Sequence, residues 1–220
     1  MKRIRTVIIG AGGFARELAW LLRDLNGSSP DPQFDLLGFV VSDTSAMGCR
    51  DSTRELLGDF SWIEQHRHEV DAFALGIGSP QARVAIGHEL CQCFPEISWP
   101  ALIHPSARMD LASSQIGKGA IVCAGVVGTV NLEIGDFAVV NLSCTLGHES
   151  RIAAGSVLNP SVNVSGGVEI GNGVLVGTGA QILQYLQIGD HAVIGAGAVV
   201  TCDVPAGTTV VGIPAKPIIK

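Results

Sequence analysis

Long apolar runs are missing from this chain: none in its 220 residues approaches the ~18 that a membrane-spanning helix needs, although mean hydropathy is high at +0.39. Net positive charge is missing too. A formal charge of −6 gives no electrostatic reason to expect nucleic acid as a partner. The six cysteines, at 49, 91, 93, 123, 144 and 202, make no C-x-x-C pair and no cluster with histidine at metal spacing, so no metal is expected and the thiols read as reduced and structural. The basic start, Met1 to Arg3, leads into an apolar stretch too short for a secretory signal, which meets glycine-rich sequence and the charged pair Arg16-Glu17. It reads as a first strand, with a cytoplasmic location expected.

A strict repeat dominates what is present. From Ile116 an aliphatic residue returns at every sixth position, through Val122, Ile134, Val140 and Leu146 to Val200, with Gly128 the one exception. Six is neither the period of two of a strand nor the 3.6 of a helix, so it counts short strand-and-turn units, three to a coil of 18 residues in a parallel β-helix. The position four after each aliphatic is small or apolar in most units, as in Ala120, Val126, Leu132 and Cys144, predicting two inward side chains per unit. The position one after is often Gly (117, 135, 147, 171, 177, 189, 195) or Asn (141, 159) and is expected to hold the positive φ of tight corners. A sandwich of strands would not keep one register for over 80 residues.

The pattern changes near residue 100, which predicts a first domain over 1–100 and the β-helix with a C-terminal tail over 101–220. The first begins with a β-branched and aliphatic run, Thr6–Ile9, followed by Gly10-Ala-Gly-Gly-Phe-Ala-Arg-Glu and an amphipathic segment carrying Leu18, Leu21, Leu22 and Leu25 that stops at Asn26-Gly27. That is strand, glycine turn, helix. Gly10, Gly12 and Ala15 fit G-x-G-x-x-G/A, in which backbone N–H groups approach a phosphate. Further strands are expected at Asp35–Val41, ending in Ser42-Asp43, and at Asp71–Ile77, ending in Gly78-Ser79 before a helix to about Cys93. The alternation predicts a small Rossmann-like parallel sheet with ligand contacts at its strand ends: Gly10, Gly12, Gly13, Asp43, Gly78 and Ser79. A nicotinamide dehydrogenase would want about twice this length of α/β sequence, so one nucleotide or nucleotide-linked group fits better than a dinucleotide.

Together, Gly10 to Glu17, Leu37-Gly-Phe-Val, Ile103-His-Pro-Ser-Ala, Asn141 to Glu149, Asn163-Val-Ser-Gly-Gly-Val and Val211-Gly-Ile-Pro-Ala-Lys make the chain resemble the sugar O-acyltransferases of the sialic acid O-acetyltransferase (NeuD) type. These are related to the nucleotide-aminosugar N-acetyltransferases of bacterial surface glycan pathways. The resemblance implies a left-handed β-helix, a homotrimer with active sites between subunits, acetyl-CoA as donor, and a sugar or nucleotide-sugar acceptor reached from the first domain. It departs from some aminosugar members at two positions where they carry histidine, here Phe14 and Val157.

Acetyl transfer needs a base for the acceptor's proton and a donor for the tetrahedral oxyanion. His148, two residues after Leu146 where side chains face outward, is the only histidine between Ile116 and Ile188 and the expected base. Glu149 matches the acidic residue that follows the family's catalytic histidine and is expected to orient it. One coil on, Gly166 should stack beside His148 at about 4.8 Å, the spacing of neighbouring strands. The family marks the same position as the amide donor to the thioester carbonyl. Lys216 is a candidate for a CoA phosphate. The competing reading is a silent trimeric scaffold with a nucleotide-sensing first domain.

Overall fold

The structure, a computed structural model, describes residues 3–49, 51 and 54–218. It opens with β1 (Ile4–Ile9), α1 (Gly13–Gly27) and β2 (Phe34–Val41), continues with β3 (Leu56–Asp59), α2 (Phe60–His66) and β4 (Ala72–Leu75), and reaches α3 (Pro80–Cys93). The strands form one parallel sheet in the order β3-β2-β1-β4. Its middle is apolar because β1 contributes Val7, Ile8 and Ile9, and α1 lays Ala15, Leu18, Leu21 and Leu22 against it. Each such side chain taken out of water is worth about 1.5–3 kcal/mol. The α1–β2 turn is tied by Asn26, whose Oδ1 accepts the Gln33 and Phe34 N–H groups at 2.9 Å each. Close approach of helix and strand requires small residues at both contacts: a Cβ on Gly76 would lie 2.7 Å from that of Ala15.

Past residue 100 the chain winds into a β-helix of three faces. The first face stacks Leu102–Ile103, Ile121–Val122, Val139–Val140, Val157–Leu158, Leu175–Val176 and Val193–Ile194; the second runs from Val127–Gly128 to Val199–Val200; the third runs from Gln115–Ile116 to Gln187–Ile188. All these pairings are parallel, with partners such as Val139 and Val157 one coil apart. The hexad aliphatics and the residues four further on, Ala120, Leu132, Cys144 and Val162 among them, fill one continuous core, as the repeat predicts. Two serines join them. Buried Ser156 donates to the Gly171 carbonyl at 2.6 Å and accepts from Val174 N–H at 2.9 Å, whereas the buried Ser150 hydroxyl has no partner.

The corners correct one expectation. From Gly119 to Gly197 positive φ falls three residues after each hexad position, as at Asn131, Phe137, Ser143, Glu149, Ser161, Tyr185 and His191 and at Gly119, Gly155 and Gly179, and at none of the glycines 117, 135, 147, 171, 177, 189 and 195 nor at Asn141 or Asn159. Those glycines answer a different constraint. A Cβ at Gly135 would stand 2.8 Å from the Ala154 nitrogen, so the next coil's backbone occupies the place of a side chain.

The α/β sheet docks on the first face. Leu102, Ile121, Val139 and Val157 are buried there in one cluster with α1, while Phe137 packs with Trp99 and Phe73. Two polar ties fix the arrangement. His104 Nδ1 accepts the Ser106 N–H at 3.0 Å, which leaves its Nε2–H to donate to Asp24 of α1 at 3.1 Å. Arg83 of α3, 0% exposed, donates from Nε to the Phe137 carbonyl at 2.8 Å and from Nη1 to Leu75 and Ile77 carbonyls at 2.8 and 2.6 Å. Burial pushes its guanidinium down to about 9, and its Nη2 is covered without a partner.

Candidate active site

The Gly147-His148-Glu149 turn lies between the second-face strand Thr145–Leu146 and the third-face strand Arg151–Ile152, where an interior pattern of two inward residues per unit forces His148 outward. Its side chain is 53% exposed. Glu149 follows in the left-handed region at φ 61°, and its carboxylate stands 3.6 Å from His148 Nδ1, beyond hydrogen-bond length. It contributes an electrostatic neighbour and no fixed orientation.

Coil stacking brings Gly166 directly against the imidazole: an added Cβ would collide with Nε2 and lie 2.6 Å from Cε1. The Gly166 N–H has no acceptor among the described residues, although Gly167 N–H is bound to the His148 carbonyl at 2.8 Å and Tyr185 N–H to the Gly166 carbonyl at 3.0 Å. The turn is therefore held on both sides while its central amide stays open. Unbound amides at this corner position also occur on other coils among the described residues. Beyond it the Tyr185 ring covers Gly167, whose Cβ would strike it. With Leu183 and Val130 it gives this corner exposed apolar side chains that the repeat alone did not single out.

The α/β-domain candidates divide between two cavities. Gly10 and Asp43 line a hollow of 210 Å³ at the ends of β1 and β2, with Met47, Asp51 and Phe60. Gly12 adjoins it, an added Cβ there lying 3.6 Å from Asp51, and serves as the residue before α1. Gly13 faces Arg16 instead. Gly78 lines a second cavity of 140 Å³ with Phe14, Glu17, Val139, Asn141, Val157 and Asn159, at the corner between the first and second faces. Ser79 precedes α3 without capping it through its side chain. Thus the two departures from the aminosugar pattern, Phe14 and Val157, converge on one wall.

Within one chain the structure does not bring these residues to His148, which stands at the corner between the second and third faces. Lys216 is also remote: it is exposed on a short antiparallel strand at the end of the first face. A depression of 610 Å³ forms a trough along the third face lined by Gln115, Glu133, Arg151, Glu169 and Gln187, and it contains neither His148 nor any α/β-domain residue. Sequence reading missed Glu17 and Arg83, whose roles come from tertiary neighbours, and missed β3, although it placed His66 on a helix, as α2 does. β3 is four half-buried residues with Gly58 inside, too short to show a period.

Residues 167–202 match the family model of the bacterial transferase hexapeptide, six repeats. No curated protein sequence matches the chain. Among solved structures, a histidine-to-asparagine variant of perosamine N-acetyltransferase from Caulobacter crescentus, in complex with CoA and GDP-perosamine, is similar over 98% of this chain and 97% of that one, with 28% identity and a TM-score of 0.86. The acetyltransferase domain of PglB from Neisseria gonorrhoeae FA1090, in complex with acetyl coenzyme A, is similar over 99% and 100%, with 28% identity and a TM-score of 0.85. WeeI from Acinetobacter baumannii AYE is similar over 97% and 99%, with 26% identity and a TM-score of 0.80. The likeness runs through both the α/β domain and the β-helix.

Proposed function

We propose that this chain transfers the acetyl group of acetyl-CoA to a hydroxyl or amine of a sugar or nucleotide-linked sugar in bacterial surface glycan synthesis. The observation that carries this is the packing of the His148 imidazole against Gly166, a residue whose N–H has no acceptor among the described residues, so that a candidate base and a candidate oxyanion donor share one corner. Similarity to acetyltransferases that bind CoA and a nucleotide sugar supports the donor and acceptor classes.

His148 takes the proton from the acceptor as its oxygen or nitrogen attacks the thioester carbonyl. Negative charge then builds on the carbonyl oxygen, and the Gly166 N–H, without an acceptor among the described residues, donates to it. When the C–S bond breaks, the imidazolium returns its proton to the departing thiolate. Glu149 favours the imidazolium from 3.6 Å. Gly10, Asp43 and Gly78 belong to the acceptor side.

The separation of these groups within one chain supports a homotrimer. The cavity lined by Gly78 sits at one corner of the second face and His148 at the other, so a neighbouring copy laid against that face joins the two halves. Its outward residues, Val127, Thr145, Asn163, Gln181 and Val199, carry no charge, whereas the third face presents Glu133, Arg151 and Glu169. An uncharged face suits a permanent contact.

Release of free thiol from acetyl-CoA, measured with a panel of sugars and nucleotide sugars, tests the proposal. His148→Ala should lower turnover ~100-fold or more with the trimer intact. Full activity in that variant ends the assignment, and a chain that acetyl-CoA does not stabilise against heat is a scaffold.

A further inference from the structure

We infer that the acceptor's reacting portion is a single uncharged or cationic sugar ring, seated between α1 and the corner of the first and second faces, and that Glu17 excludes acidic sugars. This rests on the transferase reading above and names the substrate class within it.

Size comes first. The cavity formed by Phe14, Glu17, Gly78, Val139, Asn141, Val157 and Asn159 holds 140 Å³. Engineered cavities of ~150 Å³ accept one benzene, so the space suits one six-membered ring and no second sugar.

Its walls are of two kinds. Phe14, Val139 and Val157 form an apolar side, which fits the C–H face of a pyranose lying on an aromatic ring. The rest of the lining is polar. Asn141, only 8% exposed, has its Oδ1 fixed by the Leu142 N–H at 2.7 Å, which leaves its amide N–H groups as the donors. Asn159 repeats the amide one coil further on, with no side-chain bond of its own among the described residues. Glu17 supplies acceptor oxygens. A ring hydroxyl both donates and accepts, so it satisfies Glu17 and Asn141 together, and an amine or ammonium satisfies Glu17.

A ring carboxylate meets a like charge there. The nearest buried cation does not compensate, because Arg83 is 0% exposed behind the Phe14 ring, with Nε and Nη1 committed to carbonyls and Nη2 covered. It offers no donor to the cavity. Juxtaposed like charges are an effective means of rejecting the wrong ligand.

Two probe pairs that differ only at C6, UDP-glucose against UDP-glucuronate and GDP-mannose against GDP-mannuronate, test this by calorimetry on the full chain in the presence of CoA. In at least one pair the acidic member should bind the wild type ~10-fold or more weakly, Glu17→Gln should bring the two within ~3-fold, and Glu17→Lys should reverse the preference. Glu17 is on an exposed stretch of α1, so these variants fold. Equal binding of both members, or a gap that Glu17→Gln leaves unchanged, overturns the inference. If no member binds while acetyl-CoA still raises the melting temperature, the cavity is not the acceptor site and only this inference falls. If acetyl-CoA also fails to bind, the transferase reading falls with it.

Discussion

Gly166 and His148 are stacked so closely that the glycine cannot take a side chain without displacing the imidazole. Because the displaced atoms are the outer end of a half-exposed side chain, the fold has an easy way to yield. Gly166→Ala should therefore leave thermal stability within about 1 kcal/mol of wild type. On the proposed function, turnover should fall by about 10–100-fold, since both the proposed base and the amide beside it lose their alignment. Steady-state kinetics and a thermal melt on the same preparation check both halves of this expectation.

The two kinds of glycine at the corners predict opposite costs. Gly177→Ala drives a Cβ into the Ala196 backbone of the next coil, whereas Gly179, at φ 70°, has open space around it. The first change should cost about 3 kcal/mol, as overpacking against an unyielding backbone does. For Gly179→Ala only the left-handed conformation is penalised, at about 1 kcal/mol. Urea unfolding of the pair distinguishes them, and equal costs would show that the corners do not stack as described.

Arg83→Met removes a donor to three carbonyls, those of Leu75, Ile77 and Phe137, and leaves them buried. Relief of the buried charge offsets part of the loss, so a net destabilisation of about 3 kcal/mol is expected. Phe137 belongs to the β-helix, so the loosening should concentrate where the α/β domain docks. Hydrogen exchange should speed up in α3 and β4 before it does in the coils beyond Leu175.

Thiol reactivity should follow burial. Cys49, Cys93 and Cys202 are exposed, while burial pushes the Cys123 thiol up to about 12 and the Cys144 thiol up to about 11. Near pH 8 the two buried groups carry almost no thiolate, the reactive form. Iodoacetamide should therefore modify residues 49, 93 and 202 in the folded chain and reach 123 and 144 only after denaturation, as peptide mass mapping would record.

The β-helix was legible because its pattern is covariant with a rigid geometry: Ile134, Val140 and Leu146 each point inward, and one slip in the count would have put a charge in the core. His148 and Gly166 were legible for the same reason, as a coil of fixed length converts sequence separation into neighbourhood. The left-handed corners were misplaced by two positions. Glycine recurs most regularly where a neighbouring backbone leaves no room, as at Gly135, while the left-handed position is taken by residues as different as Asn131, Phe137 and Tyr185. Composition reported the steric constraint more faithfully than the dihedral one. Arg83 and Glu17 were silent because nothing local to α1 or α3 reveals a carbonyl of Phe137 or an amide of Asn141.

At the far end of the first face, Val210 and Val211 pair antiparallel with Pro217 and Lys216. Stacked parallel coils otherwise end in a row of unmet backbone groups able to recruit another chain. Proline has no N–H to offer and lysine resists like-charged company. A rod built by simple repetition thus acquires an end that discourages stacking on another rod, and removing this short reversal should raise the tendency of the chain to polymerise end to end.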